Sequence, residues 1–217
     1  MVELILGVMI SGRGSNLQAL IDACASPDYP ARIALVIANR PGAGGLAWAE
    51  AAGIPTATIA HRDFPTREEF EDEISATLKD AGVELVCLAG FMRLLNPTFV
   101  ETWRNRLINI HPSLLPAYKG LGSHARALAD GVRFTGCTVH FVRPEMDVGP
   151  IVAQAAVPVL SNDDEDALAS RVLAAEHRCY PLAVRLIAEG RVRIMDERVS
   201  IDRAAVPDRA LFNPAEA

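Results

Sequence analysis

The chain lacks the features that mark several specialised protein classes. Its 217 residues hold only four cysteines, and none of them forms a Cys-x-x-Cys pair or stands at a zinc-ligand spacing from a histidine. No apolar run approaches the ~20 residues of a membrane-spanning helix, and the first residues lack the basic segment and cleavage site of a secretory signal. We therefore expect buried, reduced thiols at Cys24, Cys87, Cys137 and Cys179, no metal, no membrane partner and a cytoplasmic location.

An excess of positive charge is also missing. The formal net charge is -6 and the sequence pI is near 5.4, which argues against a nucleic-acid partner because such proteins need a basic surface. Hydrophobic residues make up 50% of the chain and charged residues 22%, as in an ordinary soluble enzyme. This length favours a single domain. We expect it to span residues 1–203, with a frayed or disordered tail at 204–217.

The N-terminal half alternates short β-branched runs with amphipathic helical patterns. This alternation predicts a doubly wound α/β fold, in which a mostly parallel sheet carries helices on both faces. One predicted helix begins at a capping box, Thr66 to Glu69. The predicted strands are Leu4–Ile10, Ile33–Ala38, Thr56–Ile59, Leu85–Ala89 and Arg106–Ile110.

The C-terminal half follows a different pattern. A short helix near 123–130 precedes two strands, 135–142 and 151–159, which predict a mixed or antiparallel extension of the sheet. A long helix is predicted from Asp163, and Pro181 should kink or split it. Residues 192–201 form a predicted hairpin.

The segment from Arg106 to Pro116 is the main candidate for chemistry. Asn109 and His111 stand two residues apart at the end of a predicted strand, so their side chains share one face. An amide donor beside an imidazole is typical of acyl-transfer sites, and Asp147 in a Gly-Pro turn is the candidate carboxylate. A lone histidine is more often a core residue, but Asn109 and the strand end favour catalysis. We favour neither His124 nor His140 as a catalyst.

The turn Ser11-Gly-Arg-Gly-Ser-Asn16 joins the first strand to the first helix. Such a turn presents backbone N–H groups and the positive end of the helix to an anion, as a phosphate monoester would require. A plain glycine-rich turn with Ser15 or Asn16 as the helix cap is the alternative. The turn lacks the third glycine of the dinucleotide motif and the lysine of a P-loop, so neither NAD nor ATP is indicated.

A second candidate binding segment is Gly90-Phe-Met-Arg-Leu-Leu95, directly after the fourth predicted strand. Open α/β sheets bind ligands at the carboxyl ends of their strands. Apolar side chains beside polar backbone could hold a flat heterocycle there. The alternative is a loop that merely closes the core.

Four motifs taken together carry a family resemblance. They are Ser-Gly-x-Gly-Ser-Asn, Leu-Ala-Gly-Phe-Met-Arg-Leu-Leu, Asn-Ile-His-Pro-Ser-Leu-Leu-Pro and Asp-x-Gly-Pro, in register from Leu6 to about Gly190. This set resembles the phosphoribosylglycinamide formyltransferases, folate-dependent enzymes of purine biosynthesis. The resemblance implies the formyltransferase fold and transfer of the formyl group of 10-formyltetrahydrofolate to the amine of 5-phosphoribosylglycinamide. The products are formylglycinamide ribonucleotide and tetrahydrofolate.

The resemblance also implies roles for individual residues, a folate co-substrate without a metal, small-molecule partners only, and a monomer or homodimer. The implied catalytic residues are Asn109, His111 and Asp147. The implied contacts to the ribonucleotide are Gly14, Ser15, Asn16 and Glu176. The implied contacts to the folate are Arg67, Met92, Arg93, Leu94, Leu95, Asn109, Arg143, Pro144, Glu145, Met146 and Asp147. The chain departs from the usual family pattern at Arg13, Lys119, Gly122 and Val148.

Two other functions stay open on the sequence. A formyltetrahydrofolate deformylase would pass the formyl group to water with the same three residues, but such enzymes carry an additional N-terminal regulatory domain. A catalytically silent nucleotide- or folate-binding module would not require Asn109, His111 and Asp147 together. We do not expect a methionyl-tRNA formyltransferase, because it would need a basic surface and a C-terminal tRNA-binding domain, and the sequence indicates neither.

Overall fold

A computed structural model describes residues 3–205 and 210–214. The strands are β1 (Leu4–Ile10), β2 (Ala31–Ala38), β3 (Thr56–Thr58), β4 (Leu85–Leu88), β5 (Leu107–His111), β6 (Phe134–Phe141), β7 (Ile151–Pro158), β8 (Val192–Met195) and β9 (Arg198–Ile201). The helices are α1 (Ser15–Cys24), α2 (Gly45–Ala51), α3 (Arg67–Asp80), α4 (Pro97–Thr102), α5 (Ser123–Ala129) and α6 (Glu165–Ala188), with a 3-10 turn at His61–Asp63. Within these residues, no helix is long and apolar enough to span a membrane.

Seven strands form one sheet in the order β3-β2-β1-β4-β5-β6-β7. The first five strands in this order, β3-β2-β1-β4-β5, are parallel. β6 pairs antiparallel with β5, and β7 pairs antiparallel with β6. β8 and β9 form a separate antiparallel hairpin. The predicted doubly wound sheet with an antiparallel C-terminal extension is therefore confirmed.

Helices cover both faces of the sheet. Leu6, Val8 and Ile10 of β1 belong to the same buried cluster as α1 and α6, whereas Met9 packs in a second cluster with α3 and α4. A parallel strand that is buried on both faces needs a continuous apolar run rather than alternation. The nearly unbroken apolar sequence of β1 therefore follows from its central place in the sheet.

Helix α4 has no counterpart in the sequence prediction. Its six residues are too few to show a helical period, but it has clear local signals: the Asn96 side chain caps the Phe99 N–H at 2.7 Å and Pro97 occupies the first turn. These signals could have revealed it.

Helix α6 runs without interruption through Pro181, so the predicted split is wrong. Proline removes one backbone hydrogen bond, but this helix gains more from packing. Tyr180 beside it is fully buried, and its hydroxyl donates to the Leu88 carbonyl at 3.0 Å. Burial against the sheet therefore keeps the helix continuous.

The four thiols are free, and three of them are buried while Cys24 is partly exposed. Burial raises the pKa of Cys24 to about 12, which keeps this thiol protonated at neutral pH. The expectation of buried, reduced cysteines is confirmed for Cys87, Cys137 and Cys179.

The predicted tail is only partly covered by the structure. Residues 206–209 and 215–217 lie outside the described residues. Among the described ones, the Asn213 amide donates to the Val159 carbonyl at 3.0 Å and also to the Arg133 carbonyl. At this position the tail lies against the body of the domain.

We expect Gly136→Ala to destabilise the fold, because a methyl group on this β6 residue would stand 1.8 Å from the Ala155 carbonyl oxygen on β7. The strands must separate to admit it, so the free energy of unfolding should fall by about 2 kcal/mol or more. Chemical denaturation measures the change. Gly44→Ala is the control, since its new methyl group has room at 3.8 Å from Arg13. Equal stability of the two variants would contradict the close strand approach.

Candidate active site

The two predicted binding segments meet where the winding of the sheet reverses, between β1 and β4. The Ser11 backbone N–H donates to the Gly90 carbonyl at 3.2 Å, and the Ser11 hydroxyl accepts from the Met92 N–H at 2.8 Å. This position is the usual ligand site of an open α/β sheet. The glycine-rich turn and the segment after β4 therefore border the same region.

The glycine-rich turn starts α1 through Gly14, which has a positive φ of 76°. A side chain there would also collide with the backbone of Gly45, since an added Cβ would lie 2.7 Å from its Cα. Glycine is thus required both by conformation and by the close approach of α2. The first N–H groups of α1, including those of Ser15 and Asn16, lie at the positive end of the helix.

Asn16 and Glu176, predicted as parts of one binding site, are in direct contact. The buried Asn16 amide donates to the Glu176 carboxylate at 2.7 Å, while the Asn16 amide oxygen is buried without a partner among the described residues. Burial raises the pKa of Glu176, and the Asn16 hydrogen bond partly opposes this rise. A buried carboxylate and an unpaired amide oxygen can accept hydrogen bonds from hydroxyl groups, such as those of a ribose.

In the segment after β4, some apolar side chains are buried in the core and others are exposed to solvent. Phe91 is buried, whereas Met92 and Leu94 are 67% and 65% exposed. The Arg93 guanidinium stacks over the Phe70 ring, 5.6 Å from its centroid, and Leu95 packs at the edge of the second cluster. Only part of the segment closes the core. The exposed side chains favour the ligand-binding interpretation.

Arg67 supports this segment from α3. Its Nε donates to Glu71 at 2.8 Å, and its guanidinium also donates to the Leu94 carbonyl. Glu71 is itself buried and accepts from the Asn96 N–H at 2.9 Å. Arg67 therefore fixes the shape of the loop from Leu94 to Asn96.

Asn109 and His111 lie on the face of β5 that points toward the α3 and α4 side of the sheet. Leu107, on the same face by alternation, belongs to the cluster of those helices, while Ile108 belongs to the opposite one. The predicted sharing of one face is confirmed. Two loops reach this part of the sheet, since His111 contacts residues of both 112–122 and 142–150.

Both ring nitrogens of His111 face oxygen acceptors. Nε2 lies 3.0 Å from the Tyr118 carbonyl, and Nδ1 lies 3.4 Å from Oδ2 of Asp147. A carbonyl oxygen can only accept, so the hydrogen-bond pattern assigns a hydrogen to Nε2. A doubly protonated ring would satisfy both acceptors. The structure thus brings His111 and Asp147 together, as the sequence predicted.

Asp147 is held in an unusual conformation. Its φ is 51°, a left-handed value that costs free energy for a residue with a side chain. Its carboxylate accepts the Gly120 N–H at 2.7 Å, which ties the 142–150 loop to the 112–122 loop. The turn therefore aims the carboxylate at His111, and the second loop holds it there.

The sequence pattern does not favour His140 as a catalyst, yet this residue lies beside both Asn109 and Asp147. Its Nδ1 donates to the Phe141 carbonyl at 3.0 Å, which leaves Nε2 free to accept from the Asn109 amide at 3.4 Å. Burial lowers the pKa of His140, and this favours the neutral ring that such acceptance requires. The missing information was the β5–β6 register, which pairs Asn109 with His140.

The remaining residues of the predicted folate loop divide into two groups. Pro144, Glu145 and Met146 are exposed. The Arg143 side chain is buried and points away from them, donating to Glu197 at 2.5 Å and to the Asn105 side chain at 2.9 Å. Any contact of Arg143 with a ligand would therefore involve its backbone.

Sequence and structural comparisons identify the family. Residues 6–184 match the formyl transferase family. The chain belongs to this family. It is 42% identical to the phosphoribosylglycinamide formyltransferase of Haemophilus influenzae, and the match covers 96% of this chain and 98% of that enzyme. It is also 49% identical to the trifunctional purine biosynthetic protein adenosine-3 of Gallus gallus over 87% of this chain, but it spans only 19% of that protein.

Solved structures agree with this membership. The glycinamide ribonucleotide transformylase 1 of Symbiobacterium toebii superposes with a TM-score of 0.90 at 48% identity, covering 92% of this chain and 94% of that one. A formyltetrahydrofolate deformylase from Pseudomonas syringae superposes at 0.85 but is only 26% identical, covering 92% of this chain and 66% of that one. The formyltransferase fold is thus shown.

We expect Glu176→Gln to stabilise the folded protein at neutral pH. Because the pKa of Glu176 is raised in the folded state, its charged form opposes folding, and this cost grows as pH rises through the folded-state value. The variant should unfold at higher urea than the wild type at pH 7. The difference should disappear below the ordinary pKa of 4.5. Urea titrations across pH test this.

Glu73→Gln makes the same chemical change on the exposed face of α3 and serves as the control. A stability difference for Glu176→Gln that did not change with pH would contradict the assigned cause.

Proposed function

We propose that this chain transfers the formyl group of 10-formyltetrahydrofolate to the primary amine of 5-phosphoribosylglycinamide, a step of purine biosynthesis. The observation that carries the proposal is the contact between His111 and Asp147 beside Asn109, in a chain that belongs to the formyl transferase family. A carboxylate, an imidazole and an amide donor on one face of a sheet are the groups that acyl transfer requires.

The first step is attack of the substrate amine on the formyl carbon. A C–N bond forms, and the formyl oxygen gains negative charge. The Asn109 amide, with one N–H directed by His140, is a donor for this oxygen. The second donor is Nδ1 of a protonated His111, which lies 3.4 Å from the Asp147 carboxylate, so that its N–H can be shared with the formyl oxygen.

The second step expels tetrahydrofolate. The bond between the formyl carbon and N10 of the folate breaks, the attacking nitrogen loses a proton and N10 gains one. Asp147 lies close enough to His111 to stabilise its positive charge, and it can order a water that carries the proton between the two nitrogens. The net change is one formyl group moved from one nitrogen to another.

The two substrates would occupy different sides of the group formed by Asn109, His111 and Asp147. We place the ribonucleotide phosphate on the start of α1 at Gly14, Ser15 and Asn16, with its ribose near Glu176. We place the folate heterocycle between the exposed 92–95 segment and the 143–147 loop. The substrate amine and the formyl group of the folate would then approach each other from opposite sides and meet beside Asn109 and His111 on β5.

The deformylase alternative differs only in the acceptor of the formyl group. The identity of 26% to the deformylase, against 42–49% to formyltransferases and to the trifunctional protein, supports an amine acceptor. Incubating the protein with 10-formyltetrahydrofolate, with and without 5-phosphoribosylglycinamide, tests this. We expect loss of the formyl group only with the amine. Equal loss without it would identify a hydrolase, and no loss in either case would favour a binding module.

We expect Asp147→Asn to lower kcat on the order of 10²-fold or more, comparable to removal of an oxyanion donor, while substrate affinity changes little. His111→Ala should have a similar effect. Since both residues would serve one transition state, the double variant should be little worse than the poorer single variant. Steady-state kinetics of all three test this. Fully multiplicative losses would mean that the two residues act independently.

A further inference from the structure

The 142–150 loop that carries Asp147 is tied to the C-terminal hairpin by a group of four residues, Arg104, Asn105, Arg143 and Glu197, which we call the Glu197 clamp. We propose that Glu197 is a positioning residue that acts through Arg143 to hold Asp147 in its catalytic place. This inference rests on the proposed function for the catalytic role of Asp147.

Arg143 is the central member of the clamp. Its side chain is only 8% exposed, and its guanidinium donates to Glu197, to the Asn105 side chain and to the Val142 carbonyl, at 2.5, 2.9 and 3.0 Å. A buried cation needs a carboxylate partner, since an unpaired one is strongly unfavourable. Glu197 is that partner. Without it, Arg143 would turn toward water and draw the start of the 142–150 loop with it.

The position of the clamp connects it to the catalytic groups. Asn105 lies in the turn that leads into β5, the strand of Asn109 and His111. The Arg143 side chain also passes close to the other end of the loop, since a Cβ added at Gly149 would stand 3.2 Å from its Cγ. The clamp thus connects the 142–150 loop, near both of its ends, with the turn that leads into β5.

Asp147 needs such support because its backbone is strained. The positive φ persists only where surrounding contacts determine it. The Gly120 hydrogen bond holds the carboxylate, but the 112–122 segment that supplies it is itself a loop. The hairpin supplies a second anchor for the Asp147 loop, since Val192, Ile194 and Val199 pack against the buried cluster that includes α1 and α6.

The charge arrangement in the hairpin turn agrees with this role. Glu197 also accepts from Arg104 at 2.8 Å, so its two oxygens bind two cations. The Arg143 hydrogen bond holds the pKa of the Glu197 carboxyl below its ordinary value. The neighbouring turn residue, Asp196, shares the left-handed backbone but makes neither of these ion pairs.

The two turn residues give a matched pair of variants. Glu197→Gly and Asp196→Gly both place glycine at a positive φ, of 57° and 49°, so the backbone tolerates either change. Only the first removes the partner of Arg143. Hydrogen exchange of the substrate-free protein should show faster exchange in residues 142–150 for Glu197→Gly and not for Asp196→Gly. Glu197→Gln, which keeps the turn and loses the charge, should show a smaller effect.

Kinetics provide the second readout. For Glu197→Gly we expect kcat to fall on the order of tenfold, as for a misplaced catalytic group, with the dissociation constant of 5-phosphoribosylglycinamide unchanged. Unchanged exchange in the 142–150 loop, or equal effects of Asp196→Gly, would overturn the clamp. A wild-type protein without transfer activity but with the expected exchange would instead overturn the proposed function and support the clamp.

Discussion

The antiparallel pairing of β5 with β6 is the constraint on which the rest of the site depends. It sets Asn109 opposite His140 and His111 opposite Thr138, so that four polar side chains share one part of the sheet. The central parallel strands β1 and β4 are buried on both faces and carry mainly apolar side chains. Where the pairing changes to antiparallel, loops rather than helices contact this part of the sheet. Polar side chains of β5 and β6 can lie beneath these loops.

The loops beside this part of the sheet contain residues with unfavourable backbone conformations. Asp147 has a left-handed backbone, and the Tyr118 carbonyl that faces His111 comes from a residue with a φ of 54°. Such conformations are unfavourable for residues with side chains, and they persist because neighbouring groups fix them. The Gly120 N–H holds Asp147 from one side, and Arg143 holds the start of its loop from the other. The two loops therefore support each other across His111.

The sequence predicted the strands of the sheet well, because local apolar patterns define them, and it also predicted that Asn109 and His111 share a face and that Asp147 lies near His111. Apolar runs define β1 to β5, and the shared face of Asn109 and His111 follows from their spacing alone. Contacts between distant segments were not predictable in the same way. The pairing of Asn109 with His140 depends on strand register, and the Arg143 to Glu197 contact joins residues far apart in the chain. The family resemblance implies Arg143 as a folate contact, but the resemblance could not show that its side chain pairs with Glu197 and Asn105.

Glu176 shows how a residue of the proposed ribose site can oppose stability. A carboxylate that is 7% exposed and receives one hydrogen bond from Asn16 has fewer partners than it would have in water. The fold could avoid this cost with glutamine, which fits the same space. A charged acceptor, however, binds hydroxyl groups more strongly than a neutral amide does. The buried carboxylate and the unpaired Asn16 oxygen are the groups that the proposed ribose contact would complete.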